Sequence, residues 1–181
     1  VARDDVEARL LKRILAVVDV EAIRGAGLRA AVDACNGTGG LFLPRLLEAL
    51  GVEIHLIHGD PHGRFSHDPE PIPENLVDLG RAVTGGDCHV GFAIDPDADR
   101  VALVGETGLP LGEDLTLALA VQAVTETRKG PVVTTLSTSQ VVTDAATRNG
   151  CPVTLTPVGE VHVVDAMVAE GAVIGGEGNG G

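Results

Sequence analysis

The 181-residue sequence has no tryptophan, no tyrosine and only three phenylalanines, Phe42, Phe65 and Phe92. It therefore lacks the aromatic platforms on which single-stranded bases stack, and a bound sugar must be held by hydrogen bonds. Basic charge is also scarce. Thirteen Lys and Arg stand against 26 Asp and Glu, giving a net charge of −13. An acidic surface repels nucleic acid phosphate and anionic lipid, so neither partner is expected. No apolar run reaches the roughly 20 residues needed to span a bilayer. The first residues, Val1-Ala2-Arg3-Asp4-Asp5, show no basic flank leading into an apolar stretch, so no secretory leader is read there. The three cysteines, Cys35, Cys88 and Cys151, are far apart and in no CxxC pair. They read as reduced thiols rather than a disulfide frame or zinc site, and point to a cytoplasmic protein.

What is present is a globular composition, 44% hydrophobic and 22% charged, written in an alternating α/β rhythm. Val6, Leu10, Ile14 and Val18 mark one face of a helix. Leu28–Ala34 is a short apolar run, read as a buried strand. The glycine-rich turn Asn36-Gly37-Thr38-Gly39-Gly40 follows, then a helix over Leu41–Leu50 and a strand over Val52–Ile57. This order is a βαβ unit, which requires parallel strands. Beyond a proline-rich stretch, Pro73 is placed to start a helix running to about Val83. His89–Ile94 and Val101–Val104 are apolar, strand-like runs. After a turn-rich linker the pattern begins again: helix Glu113–Thr127, strand Val132–Leu136, helix Ser139–Asn149, strand Val153–Thr156, helix Glu160–Glu170 and strand Ala172–Ile174. The expected fold is α/β, with two small α/β/α domains over residues 1–105 and 106–181. Each has a mainly parallel sheet covered by helices. The strands are apolar throughout, as strands buried on both faces should be.

The chemistry concentrates in Asp95-Pro96-Asp97-Ala98-Asp99-Arg100. Spacing by two puts the three carboxylates on one side of an extended segment. Charges so close repel unless a cation sits among them. Oxygen-only ligands favour a hard ion, magnesium or calcium. Arg100 can pair with the carboxylates or with an anion on the metal. Three readings are open: a solvated acidic turn, an EF-hand, and a magnesium loop between strands. For the EF-hand, Asp95, Asp97, Asp99 and Glu106 fall at the first, third, fifth and twelfth positions. However, Arg100 replaces the glycine required at the sixth, and the flanks read as strands.

Further segments carry a family resemblance. Asp95–Arg100 resembles the DGDxDR loop of the α-D-phosphohexomutases (phosphoglucomutase, phosphomannomutase and phosphoglucosamine mutase), with Pro96 in place of the usual glycine. Asp19–Gly40, read as a helix end, a strand and the glycine-rich turn Val32–Gly40, is similar to the start of that family's second domain, and its glycine-rich loop, lacking GxGxxG or GK[ST], is read as structural. Phe65–Leu76 resembles the family's connection into a PEN-containing helix. Its Ser66-His67-Asp68-Pro69 imitates the active serine motif but lies in second-domain context. Thr156-Pro157-Val158-Gly159-Glu160 is similar to the third domain's Thr-x-x-Gly turn. Gly175–Gly181 is similar to the sugar loop GExSGH, with Glu177 at the Glu position, Asn179 at the Ser position and Gly181 where many members have His.

The resemblance implies the second and third domains of an intramolecular phosphotransferase. That enzyme moves a phosphoryl group between C1 and C6 of a hexose phosphate through a phosphoserine and a hexose bisphosphate. It implies Mg2+ on Asp95, Asp97 and Asp99, a catalytic Arg100, and sugar contacts from Glu177 and Asn179. The serine and the distal-phosphate grip are expected from a first and a fourth domain outside these residues, so the isolated chain should be inactive. A non-catalytic α/β module binding a divalent cation is the alternative.

Overall fold

The computed structural model describes the backbone from Arg3 and the side chains from Val6 to Gly181. The chain divides into two compact units. One comprises residues up to Ala98 together with Val104–Pro110, and the other Asp99–Leu103 with Leu111–Gly181. The division passes twice through a single stretch of chain, the Asp95 loop and the strand after it.

The first unit opens with α1 (Arg3–Leu15) and α2 (Val20–Gly25), then β1 (Arg29–Asp33), α3 (Gly39–Ala49), β2 (Glu53–Ile57), α4 (Val77–Gly85) and β3 (Val90–Ile94), and its sheet ends in β4 (Val101–Gly105), through which the division runs after Leu103. The sheet order is β2-β1-β3-β4. β1 pairs in parallel with both β2 and β3, whereas the six-residue link from β3 to β4 is too short for a parallel crossover. Central β1 is the most buried strand, with Ala30, Ala31 and Val32 fully enclosed. Edge strand β2 leaves Leu56 exposed, so the uniformly apolar pattern marks two-sided burial only in the middle of the sheet. A core of Ala30, Val32, Leu47, Leu50 and Val52 fills the space between β1, α3 and β2.

Three local details differ from the sequence reading. α2 is additional: Asp19 does not end a helix but caps this one, accepting from the Ala22 amide at 3.0 Å. Val6, Leu10 and Val18, on the expected apolar face, are exposed. Pro73 opens a 3-10 turn, Pro73–Asn75, and the α-helix begins only at Val77. After β4 the chain turns at Glu106–Gly108 and bridges back, Val104 against Pro110. This turn crosses α4 backbone to backbone. A Cβ on Gly80 would lie 2.5 Å from the Gly108 carbonyl oxygen, and one on Gly108 2.8 Å from that of Gly80.

The second unit contains α5 (Glu113–Thr127), β5 (Val132–Thr135), α6 (Gln140–Arg148), β6 (Val153–Thr156), α7 (Glu160–Glu170) and β7 (Ile174–Gly176). Its sheet is parallel, in the order β6-β5-β7. β5 is buried throughout and Leu155 of edge strand β6 is exposed. Ser139 caps α6 as its sequence predicts, and the Lys129 ammonium donates to the Thr125 carbonyl near the end of α5. Both sheets thus place the first strand between the second and third. In such a sheet the crevice for ligands opens at the carboxyl ends of the first and third strands, where the connections diverge.

Candidate functional site

In the first sheet the carboxyl end of β3 runs directly into Asp95. Its flanks are strands, β3 and β4, which excludes the EF-hand. The carboxylates converge by a different route from the one their spacing implies. The segment is a turn rather than extended chain: the Ala98 amide donates to the Asp95 carbonyl at 3.1 Å, and Ala98 takes a left-handed φ of 64°. Folding back in this way brings oxygens of Asp95, Asp97 and Asp99 within 4.8 Å of one another. Asp95 is 1% exposed, while Asp97 and Asp99 face solvent. Arg100 follows, its Nε 3.7 Å from Asp99 Oδ1. An all-carboxylate set, anchored by one buried member and open on its other side, suits a small hard cation that keeps some of its waters.

The glycine-rich turn after β1 supports this loop. The Thr38 amide and hydroxyl both donate to the Pro96 carbonyl, at 2.9 and 3.0 Å. A Cβ on Gly37 would fall 2.6 Å from Pro96 Cα. The turn is therefore structural, as expected. Its positive φ values, however, lie on Cys35 and Asn36, at 40° and 59°, not on its glycines.

A second cluster, absent from the sequence reading, stands at the end of β1. Asp33, 1% exposed, has His58 Nδ1 at 3.1 Å from Oδ1 and His67 Nε2 at 3.0 Å from Oδ2. The Cys35 amide also donates to Oδ1, at 2.9 Å. His58 follows β2, and His67 comes from the segment that imitates a serine motif. Here that segment turns its histidine inward onto Asp33. Burial alone would lower the His67 pKa, but the Asp68 carbonyl and the Asp33 carboxylate outweigh it and raise the value. Burial, with the Asp33 and Asp95 carboxylates adding to it, pushes the Cys35 thiol up to about 11. The signal for this cluster lay in three residues, the outer two 34 positions apart, with no periodicity to join them.

Within the second unit, a pocket of about 330 Å3 is lined by Asp99, Arg100, Glu160, Met167, Glu177 and Asn179, among others. It brings together Arg100, Glu177 and Asn179, which the sequence singled out separately. The Gly175–Gly181 segment is not a loose tail. The Glu177 amide donates to the Gly181 carbonyl and the Val101 amide to that of Gly180, at 2.9 and 3.1 Å. The Gly178 amide donates to the Thr138 hydroxyl at 3.2 Å. The Glu177 carboxylate accepts from the Gly159 amide at 2.9 Å. The Thr-x-x-Gly turn thereby orients the loop's acid, a link that sequence alone did not show. Asn179 Oδ1 accepts from the Gly181 amide at 3.1 Å.

These features define a protein of α/β/α units whose polar loops gather at the carboxyl ends of parallel strands. The chain belongs to the phosphoglucomutase/phosphomannomutase family: residues 8–108 match the model of its alpha/beta/alpha domain II, and residues 112–181 that of domain III. It is 40% identical over 179 residues to a probable phosphoglucosamine mutase of Methanopyrus kandleri, covering 97% of this chain and 39% of that protein. It is 39% identical over 181 residues to a phosphoglucomutase/phosphomannomutase of Thermococcus kodakarensis, covering 99% of this chain and 40% of that one. The chain thus spans about two fifths of the length of these curated relatives. A family protein of Burkholderia thailandensis superposes with a TM-score of 0.78 at 30% identity, over 89% of this chain and 37% of that one. The fold also matches an Aspergillus fumigatus N-acetylphosphoglucosamine mutase solved with GlcNAc-6P and magnesium. There the TM-score is 0.62 at 18% identity, over 89% of this chain and 37% of that one.

Proposed function

We propose that this chain supplies the metal loop and the sugar loop of a phosphohexomutase that moves a phosphoryl group between C1 and C6 of a hexose phosphate. In this reading residues 1–105 and 106–181 act as the family's second and third domains. The phosphoserine donor and the grip on the distal phosphate come from segments outside these residues, so the isolated chain is inactive. The observation that carries the reading is the convergence of Asp95, Asp97 and Asp99 on one turn, in a chain of this family.

The donor set fits Mg2+, which supplies charge neutralisation and polarisation of a phosphoryl oxygen when bound. The residues do the rest. Asp95 anchors the loop from the buried side, and Asp97 and Asp99 complete the oxygen set. Arg100 sets a fixed positive charge beside the transferring group, where phosphoryl transfer gains most from electrostatic positioning. Glu177 can accept from paired sugar hydroxyls, and Asn179 can both accept and donate. Because Gly159 already holds the Glu177 carboxylate, its orientation is set before a sugar arrives. A hexose bisphosphate intermediate would turn over between two phosphoryl transfers, and the same hydroxyl contacts serve both orientations. The buried, unpaired thiols support a cytoplasmic setting.

The test is a coupled assay of the full-length protein with Mg2+ on the 1-phosphates of glucose, mannose and glucosamine, with this chain as control. Conversion to a 6-phosphate by the full-length protein alone is expected. No conversion by a folded protein primed with hexose bisphosphate would replace this reading with a non-catalytic cation-binding module.

A further inference from the structure

We propose that Asp33, His58 and His67 form a second divalent-metal site, which takes a borderline transition ion such as zinc through nitrogen and oxygen ligands. The three residues arrive from separate places: the last position of β1, the position after β2, and the connection that follows. One ligand atom from each lies within 4.8 Å of the others. Each carboxylate oxygen of Asp33 faces one imidazole nitrogen, at 3.1 Å for His58 and 3.0 Å for His67. Ligand atoms bound tetrahedrally at about 2.0–2.1 Å stand roughly 3.3 Å apart; the two Asp33–His pairs are already near that spacing, and the two imidazole nitrogens lie within 4.8 Å of each other.

The hydrogen-bond polarity at His67 is compatible with ligation by its inner nitrogen. Its Nδ1 lies 2.7 Å from the Asp68 carbonyl oxygen, which can only accept, so Nδ1 carries a hydrogen. The other nitrogen, Nε2, is aimed at Asp33 Oδ2. In the metal-free chain a proton on Nε2 satisfies both atoms, and a divalent ion would displace that proton and take Nε2 and the carboxylate as ligands. An outer ring N–H held by a backbone carbonyl, with the inner nitrogen free to ligate, is the usual second shell of a metal-bound histidine. Two more observations agree. The His58 and His67 side chains are 26% and 19% exposed, which leaves an approach from solvent. His58, Cys35 and Asn36 all hold positive φ, and such strain persists only where the surroundings enforce it. Three protein ligands leave a fourth position for water, as in open zinc sites. The site differs in chemistry from the Asp95 loop, which offers oxygen alone.

The experiment uses the untagged 181-residue chain, stripped with a chelator and kept in excess Mg2+ so that the Asp95 loop is satisfied. Zinc is titrated by calorimetry, and cobalt(II) by visible absorption. One equivalent is expected, with a cobalt spectrum of a four-coordinate nitrogen/oxygen site. His58→Ala and His67→Ala, shown to be folded by circular dichroism, should each weaken zinc binding beyond the roughly 10–100-fold that loss of an outer-shell partner costs. Asp97→Ala should leave it unchanged. Failure of zinc to saturate, or undiminished binding by a folded His67→Ala variant, overturns the proposal and leaves the cluster as a hydrogen-bonded clamp held by a proton. Imidazole NMR of the wild-type chain gives a readout independent of mutant folding: the His58 and His67 ring signals must move with zinc, and unmoved signals overturn the site.

Discussion

The Asp95 loop and the Asp33 cluster end neighbouring strands of one sheet, and each is anchored by a carboxylate that is 1% exposed. They differ in what surrounds that anchor. Around Asp95 are two more carboxylates from the same six residues, so negative charge accumulates there, and a bound cation would relieve it. Around Asp33 are two imidazoles from elsewhere in the chain and a backbone amide, so the charge is already partly answered. The same buried acid thus stands in an all-oxygen loop in one case and among nitrogen donors in the other. Cys35 lies between them and feels both, since Asp33 and Asp95 each raise its pKa.

The sharpest way to break this contrast is at the exposed end of the loop. Asp97→Ala in the full-length protein should lower kcat by about 100- to 1,000-fold, the cost of removing one preorganised electrostatic contact. A coupled assay over a range of Mg2+ checks it, and full activity would remove the loop from the chemistry. Gly37→Ala attacks the support instead. Its Cβ would lie 2.6 Å from Pro96 Cα and 2.7 Å from Pro96 O, and backbone cannot swing aside as a side chain can. We expect a loss of about 1–3 kcal/mol in urea unfolding, as for other overpacked sites, together with weaker Mg2+ binding.

A smaller effect distinguishes the Asp33 side. The raised His67 pKa means that the metal-free folded chain holds a proton more tightly than the unfolded chain does. The resulting stability is complete below the ordinary histidine value of 6.5. It is lost as pH rises through the folded value. The groups facing His67 are Asp33, the Asp68 carbonyl, Asp78 and the His58 ring. Urea midpoints measured with chelator present should fall across this window, and His67→Ala should flatten the slope. Smallest is Ser139→Ala in the second unit, remote in sequence from both clusters. Its hydroxyl accepts from the Val141 amide at 3.4 Å, a long bond. We expect about 0.5 kcal/mol, the low end for a helix cap, and unchanged binding of either ion.

The two regions also differ in how readable they were. Asp95, Asp97 and Asp99 are neighbours in sequence, so their chemistry could be seen before any fold was known, although the turn that gathers them could not. Asp33, His58 and His67 become neighbours only when β1 and β2 pair, and no local pattern announces a tertiary contact. Strong periodicity and punctuation made most elements legible: Gly150 after α6, and Glu160–Glu170 to the residue. The six-residue α2 is too short to show a period. Edge strand β6 has the same Val- and Thr-rich make-up as central β5, so composition does not reveal which of them lacks a neighbour, whereas Glu53 and His55 do interrupt the apolar run of β2. Glu177 was expected to contact sugar by resemblance, but its bond to the Gly159 amide depends on where β7 lies relative to the turn before α7.

The crossing of α4 by the turn after β4 has a consequence for how such sequences can drift. Gly80 and Gly108 each occupy the space that the other's side chain would need. The two positions are far apart in the chain, yet they form a single constraint: a substitution at one cannot be absorbed by trimming the other, which has nothing left to trim. β4 carries the chain away from the Asp95 loop, so the crossing also fixes where that loop's far end is tethered. Chains that keep this packing should therefore keep both glycines together, and those that lose one should show a rebuilt turn rather than a single compensating change.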